Sequence, residues 1–306
     1  MPAASCTHLQ AVLVLAADMA EIPAEPAFYR VGPDVPSSPV VLSVPHAGRD
    51  YKEALLRASR LPRSALETLE DRLVDRLIWR AVAAGSAGIV ARAPRAEIDL
   101  NRDEREIDPA LIAPAPAPAD VLPSARTRGG IGLIPSRITG VGAIWNDRIP
   151  QHELARRIAE IHRPYHQALE GALVAARDRF GAAVLLDCHS MPPRPGPASE
   201  QESIVFGDRY GTTTAPHLLD AAVSAARALG YRTACNTPYA GGYIAGRHGR
   251  PDRGLHAIQI EIDRSAYLDA ELRSPGPGFA AICRLVASIV AALEARLLGG
   301  EAIAAE

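Results

Sequence analysis

Three mostly apolar stretches of the chain each end in polar residues with reactive side chains. VVLSV leads to His46, AAVLL leads to Asp187 and His189, and HAIQI leads to Glu261. Short apolar runs of this kind are typical of buried strands. In open α/β sheets, the carboxyl ends of the strands carry most binding and catalytic groups. The pattern therefore predicts strands whose ends could bring these polar residues together.

Helical periodicity occupies much of the remaining chain. Apolar residues at helical spacing predict four helices, the second of them kinked at Pro164, over 64–84, 151–180, 215–229 and 278–298. Three further short strands are predicted at 88–93, 96–101 and 203–208, and a Pro/Ala-rich loop is predicted at 109–123. Strands separated by helices of this length predict an α/β fold with a mixed, mostly parallel sheet flanked by helices.

We expect a single domain over residues 40–300, preceded by a loosely ordered, Pro-rich leader over residues 1–39. The apolar run near the amino end has no basic residue before it, so it does not match a signal peptide, and it is too short to span a membrane. Met19 follows this run, and a start at Met1 or at Met19 stays open.

The charge balance favours a small-molecule partner. Among 306 residues, 33 are Lys or Arg and 35 are Asp or Glu, for a net charge of -2, which argues against a nucleic-acid or membrane surface. Four cysteines without CxxC spacing fit a reduced, cytoplasmic protein. The oligomeric state does not follow from these features.

Histidines and carboxylates at strand ends are compatible with a metallohydrolase. Such a site needs two or three imidazole or carboxylate ligands, an open position for water and a nearby base. The alternative interpretation is that each histidine is a hydrogen-bonded structural residue. From residue types and spacing alone, both interpretations stay open.

Seven motifs in order resemble the N-formylglutamate amidohydrolase family, over about residues 40–268: SVPHAG, LEDRLVDRL, IDLNR, HRPYHQAL, LLDCHSM, NTPYAGGYIAGRHG and HAIQIEID. The resemblance implies a single-domain hydrolase with a fold like that of the zinc carboxypeptidases and aspartoacylase. It also implies one zinc ion per chain.

The resemblance assigns roles to particular residues. His46 and His189 resemble the imidazole zinc ligands, and an acid near the start of the first long helix is the third ligand, with Asp71 preferred and Glu70 as its rival. Glu261 resembles the general base. Asp187 shares a strand face with His189, so it either orients that imidazole or caps the strand end.

Substrate contacts are expected from two motifs. The DLNR run implies carboxylate binding by Arg102 and Asn101, whereas Arg95 is either a second cationic contact or a surface residue. Weaker candidates come from the YAGGYIAGRHG motif: Gly241, Gly242, Tyr243, Arg247 and His248.

Two other arrangements are interpreted as structural. His162 and His166 lie one helical turn apart but lack an accompanying ligand or base. Cys188 precedes His189 on a strand, so their side chains point to opposite faces and cannot pair.

The expected reaction is hydrolysis of a small N-acyl amino acid, foremost N-formyl-L-glutamate to formate and L-glutamate, with histidine degradation as the pathway that the family name suggests. The alternatives are a related zinc amidase or carboxypeptidase acting on another N-acyl amino acid or short peptide, and a metal-binding member without turnover. Glu261 argues against the last, since binding alone needs no base.

Overall fold

The computed structural model describes residues 25–194 and 201–299. Within these ranges the strands are β1 Phe28–Val31, β2 Val40–Val44, β3 Ala87–Ala91, β4 Ile112–Ala113, β5 Arg137–Ile138, β6 Gly142–Ala143, β7 Ile149–Pro150, β8 Ala183–Met191, β9 Ile204–Gly207, β10 Thr233–Cys235 and β11 Leu255–Asp263. The α-helices of the same ranges are α1 Glu53–Ala58, α2 Arg63–Leu66, α3 Val74–Leu77, α4 Trp79–Ala83, α5 Ala125–Arg128, α6 Gln151–Arg157, α7 Arg163–Phe180, α8 Pro216–Ala228, α9 Tyr243–His248 and α10 Phe279–Gly299.

Seven strands form the main sheet in the order β1-β3-β2-β8-β11-β9-β10. The β1–β3 and β11–β9 pairs are antiparallel, and the other four pairs are parallel. The predicted α/β fold, a single domain with a mixed and mostly parallel sheet flanked by helices, is therefore confirmed. In the central β8–β11 pair, His189 lies directly opposite Glu261.

The two faces of the central strands differ in character. On one face Leu42, Leu186 and Ile260 are fully buried in a core formed with α3, α4, α8 and α10. On the other face the first half of each strand is apolar and packs against α7, but the carboxyl half is polar. The polar residues there are Ser43, Asp187, His189, Gln259 and Glu261. Alternation along the strands thus collects the polar groups on a single face.

The prediction of one helix over 64–84 is wrong. The segment contains three short α-helices, α2, α3 and α4, and a 3-10 helix, Glu67–Leu69, and it is irregular between Glu70 and Leu73. Leu73 has a φ of 62°, and a right-handed helix cannot continue through a residue with a positive φ. The amide of Asp71 instead donates to the carbonyl of His46 at 2.9 Å. A tertiary hydrogen bond has replaced a helical one, against the local periodicity.

Two other predictions need correction, whereas the helix predicted over 151–180 is confirmed in its bounds. Residues 96–101 form turns and not a strand, because Glu97 N donates to Pro94 O and Asp99 N donates to Leu133 O, each at 2.8 Å. The 151–180 helix has a π-helical segment, Ile158–His162, just before Pro164, which accommodates the residue without an N–H. The leader prediction is wrong for Phe28–Val31, because that segment pairs with β3. Residues 1–24 lie outside the described ranges.

The helices predicted over 215–229 and 278–298 are confirmed as α8 and α10. No helix within 25–194 or 201–299 combines the length and the apolar character that crossing a membrane would require.

Truncation of Ile260 should destabilise the fold strongly. Its side chain is fully buried in the middle of β11. We expect Ile260→Ala to lower the free energy of unfolding by about 2–5 kcal/mol, because it removes buried methyl groups and leaves a cavity. Urea unfolding measures this change. Leu298→Ala, at a residue with 42% of its surface exposed, is the control. Equal losses in both variants would contradict the assignment of the core.

Candidate metal centre

His46, Asp71 and His189 bring three ligand atoms together at the carboxyl end of the sheet. His46 follows β2, Asp71 lies in the irregular segment before α3, and His189 lies near the end of β8. Asp71 Oδ2 is 3.2 Å from His46 Nδ1 and 3.0 Å from His189 Nδ1, and the two nitrogens are 3.2 Å apart. All three residues are buried.

These distances fit ligands of a single metal ion. Donor atoms about 2.0–2.1 Å from a tetrahedral zinc ion lie about 3.3 Å from one another. The separations of 3.0–3.2 Å are close to that value. Two imidazoles and a carboxylate are also donors that zinc accepts, and such a set leaves a fourth position for water. The described residues therefore form a group that could hold zinc.

A second carboxylate lies behind each imidazole. His46 Nε2 is 2.8 Å from Asp99 Oδ1, and His189 Nε2 is 2.8 Å from Asp187 Oδ2. Asp187 is held in turn by Ser43 Oγ, which donates to its Oδ1 at 2.7 Å. When Nε2–H donates to a carboxylate, the Nδ1 lone pair is free for a metal. The contact of Asp187 is that of an imidazole-orienting group.

The pKa values of this group follow from its burial and its contacts. Burial alone would lower the pKa of His189, but the charge of Asp187 and the hydrogen bonds with Asp187 and Asp71 raise it well above its ordinary value. Burial would raise the pKa of Asp71, yet contacts with the two imidazoles hold it well below its usual range. Asp71 is therefore ionised, as a metal ligand must be.

The geometry distinguishes Asp71 from Glu70. Asp71 faces the two histidines, whereas Glu70 accepts hydrogen bonds from Tyr51 Oη and Arg72 Nη1, both at 2.8 Å. Arg264 donates to Glu70 O at 2.6 Å and to Asp71 Oδ1 at 3.3 Å. Asp71 is thereby oriented with Oδ2 toward the imidazoles.

Glu261 lies beside this group on β11. Its Oε1 accepts a hydrogen bond from Gln259 Nε2 at 2.9 Å, and Gln259 Oε1 accepts from Gly242 N at 2.8 Å. Burial raises the pKa of the Glu261 carboxyl to about 7, with His189 opposing that shift. A carboxyl group with such a pKa can both accept and return a proton near neutral pH.

A cavity of about 320 Å³ adjoins these residues, and Arg95, Asn101, Arg102 and Gly242 are among those that line it. Asn101 Oδ1 accepts from Ile244 N at 2.8 Å. Arg95 donates Nε to Asp99 Oδ2 at 2.9 Å, so it is a partner of a buried carboxylate and not a free surface residue.

Gly241 also lines this cavity, whereas the last three candidates of the glycine-rich motif, Tyr243, Arg247 and His248, lie apart from it. Tyr243 and Arg247 do not line it, and Arg247 Nη1 donates to Tyr243 Oη at 2.9 Å. His248 is buried with its Nε2 3.0 Å from His166 Nδ1. These positions do not support the expected contacts with the far end of a substrate.

His162 and His166 have structural contacts, in agreement with the prediction of a structural role. His162 Nε2 donates to Arg102 O at 2.9 Å, and His166 Nε2 donates to Leu100 O at 3.0 Å. Cys188 is buried in the core on the sheet face opposite His189.

Sequence reasoning missed three residues of the site. Asp99 was not predicted because its segment was interpreted as a strand. Its place two residues before Asn101, in the DLNR run, could have indicated that it belongs to the site. Gln259 shares its strand face with Glu261, and that alternation could have identified it. Arg264 follows β11 and carries no pattern that predicts its contact with Asp71.

Comparison with known proteins identifies the family. Residues 38–268 match the family described as N-formylglutamate amidohydrolase. The chain belongs to this family. It is therefore a hydrolase of carbon–nitrogen bonds other than peptide bonds.

Solved and curated relatives agree with this membership. A crystal structure of N-formylglutamate amidohydrolase from Ralstonia eutropha JMP134 is 33% identical, with a TM-score of 0.82 over 90% of this chain and 99% of that one. N-formylglutamate deformylase of Pseudomonas aeruginosa is 27% identical over 76% of this chain and 83% of its own length. A gene product of Agrobacterium tumefaciens, 18% identical with a TM-score of 0.54 over 92% of this chain and 96% of that one, shares the fold.

Loss of the Asp99 charge should weaken metal binding. We expect Asp99→Asn to reduce zinc affinity about 10- to 100-fold, because the carboxylate orients His46 and increases its basicity. Competition with a chromophoric chelator measures the affinity. Glu97→Gln is the matched control, since Glu97 is a buried acid in the same segment whose ion pair is with Arg156. Equal affinities in wild type and Asp99→Asn would refute this role.

Proposed function

We propose that this protein is a zinc-dependent amidohydrolase that cleaves N-formyl-L-glutamate to formate and L-glutamate. The observation that carries the proposal is the convergence of His46, Asp71 and His189 beside Glu261 in one cavity. Membership of the N-formylglutamate amidohydrolase family supports the substrate. The names of the Pseudomonas relatives, N-formylglutamate deformylase, support the same reaction.

The ligands of the zinc ion in this proposal are His46 Nδ1, Asp71 Oδ2 and His189 Nδ1. When bound, zinc supplies a Lewis acid that polarises the formyl oxygen and lowers the pKa of water. Asp99 and Asp187 keep the two imidazoles in the tautomer that presents Nδ1. Arg264 keeps Asp71 Oδ2 directed at the same point.

Glu261 is the proton carrier of the proposed mechanism. Its Oε1 is engaged by Gln259, which leaves Oε2 for the attacking water. Glu261 accepts one proton as the oxygen adds to the formyl carbon, and then delivers it to the amide nitrogen as the carbon–nitrogen bond breaks. The second proton of the water passes from the resulting formic acid to the amine, so the products are formate and L-glutamate with a protonated amine, and atoms and protons balance.

The amino-acid half of the substrate is proposed to bind on the arginine-lined side of the cavity. Arg102 and Asn101 contact a substrate carboxylate in this proposal, with Arg95 as a second cation and Gly242 allowing close approach. A role in histidine degradation rests on the family alone. A cytoplasmic location is supported by the free thiols of Cys188, Cys235 and Cys283.

Formate release tests the metal and the substrate together. We expect zinc-loaded protein to release formate from N-formyl-L-glutamate and a chelator-stripped sample to release none, because the metal group is required for the water to attack. N-formyl-L-aspartate and N-acetyl-L-glutamate, run in parallel, should be poorer substrates. A protein that binds one zinc ion per chain but cleaves none of the three would refute the proposed reaction.

Removal of the base should separate turnover from metal binding. We expect Glu261→Gln to lower kcat about 10²- to 10⁴-fold, the usual contribution of general acid–base catalysis, while zinc binding stays near that of wild type. Asp263→Asn is the matched control, because Asp263 lies two residues along the same strand and accepts from Ser265 N at 2.8 Å. Retained turnover in Glu261→Gln would exclude Glu261 as the base.

A further inference from the structure

Arg126 also lines the cavity of the metal centre, and neither the motifs nor the proposed mechanism uses it. It lies on the short helix α5, where Ser124 Oγ accepts from Thr127 N at 3.0 Å. Arg126 is exposed to solvent. The helix therefore carries a cation at the open side of the cavity.

The arginines that line the cavity differ in how many partners they already have. Arg264 donates to Thr68 O, Glu70 O, Asp71 Oδ1 and Ser190 Oγ. Arg95 is paired with Asp99. Arg126 has no hydrogen-bond or ion-pair partner for its guanidinium among residues 25–194 and 201–299. Within the described part of the chain, Arg126 thus retains all of its donors for a ligand.

In Arg102, the Nη2 group forms no hydrogen bond with the described residues. Its Nε donates to Ile131 O and its Nη1 to Asn101 O, both at 2.8 Å, whereas Nη2 is 3.8 Å from Asp99 Oδ2. Burial lowers the pKa of Arg102, and the nearby charges of Arg95 and Arg126 act in the same direction. Among the described residues, Arg95 and Arg102 have the Asp99 carboxylate within 4 Å, whereas Arg126 has no carboxylate that close, which leaves positive charge for an anion to neutralise.

Arg95 and Arg126 lie at different parts of the cavity. Arg95 Nη2 is 2.9 Å from Asp99 Oδ2, and Asp99 Oδ1 is 2.8 Å from His46 Nε2, so Arg95 lies toward the metal group. Arg126 lines the same cavity from α5, where it is exposed. In an N-acyl dicarboxylic amino acid, the α-carboxylate adjoins the scissile amide and the side-chain carboxylate lies farther away. The exposed side matches the second of these carboxylates.

We propose that Arg126, together with Nη2 of Arg102, binds the side-chain carboxylate of the substrate and sets the preference for acidic over neutral N-acyl amino acids. This inference rests on the proposed function, since it concerns the same site. A guanidinium can hold a carboxylate with two parallel hydrogen bonds. A substrate with a neutral amide in place of that carboxylate cannot form the same pair of bonds.

The test compares N-formyl-L-glutamate with N-formyl-L-glutamine, which has the same shape without the charge. We expect Arg126→Gln to reduce the ratio of their kcat/KM values about 10- to 100-fold, through a higher KM for the acidic substrate, because a charge-assisted contact is lost. The kcat/KM of N-formyl-L-glutamine should change little. Arg126→Lys should restore part of the ratio, since it keeps the charge.

Arg128→Gln is the matched control, because Arg128 is exposed on the same helix and does not line the cavity. An unchanged ratio in Arg126→Gln, or an equal fall in Arg128→Gln, would overturn the role of Arg126 while the hydrolysis itself stands. If wild type cleaves neither substrate, the proposed function fails. The role of Arg126 is then decided by calorimetric binding of L-glutamate and L-glutamine to zinc-loaded protein. A preference for glutamate that disappears in Arg126→Gln supports it, and no preference in wild type overturns it.

Discussion

The contact of two imidazole nitrogens with one carboxylate oxygen constrains the rest of this structure. His46, Asp71 and His189 come from three separate segments and are almost fully buried. Buried polar atoms are costly unless they are paired, so each must have further partners in the protein. Asp99 and Asp187 provide those partners for the imidazoles. The fold around the site is the arrangement that supplies these partners.

This requirement explains why the helical pattern of 64–84 did not predict the structure. Apolar spacing continues through the segment, but Asp71 must reach the histidines. The chain therefore leaves the helix between Glu70 and Leu73. The backbone groups released there find tertiary partners: Asp71 N donates to His46 O, and Arg264 Nη2 donates to Glu70 O. Local propensity contains no information about such partners, since they lie far away along the chain.

The central strands were predictable because their pattern depends on nearest neighbours. Alternation in β8 and β11 places one residue set in the apolar core and the other on the polar face, and this can be counted from the sequence. His189 and Glu261 follow from that counting. Asp99 and Arg126 lie in turns and a short helix, whose positions depend on contacts such as Asp99 N with Leu133 O. No periodicity encodes those contacts.

The backbone on the arginine-lined side of the cavity is held by uncharged side chains. Arg95, Arg102 and Arg126 already concentrate positive charge there. The backbone of residues 100–102 is held by His166 and His162, which donate Nε2–H to Leu100 O and Arg102 O. Burial lowers the pKa of His162, and it lowers that of His166 well below its ordinary value, with the charges of neighbouring histidines adding to the shift. Both imidazoles therefore donate their hydrogen bonds in the neutral form.

Neutral histidines suit this position better than cationic side chains would. A lysine or arginine at either position could also donate to a carbonyl, but its charge would repel the guanidinium groups that line the cavity. The π-helical segment Ile158–His162, which ends at His162, precedes the α7 turn that carries His166, and both rings contact carbonyls that flank Asn101. The helix irregularity before Pro164 is thus part of the support for the loop of residues 100–102, because the two imidazoles fix its backbone without adding charge beside the arginines.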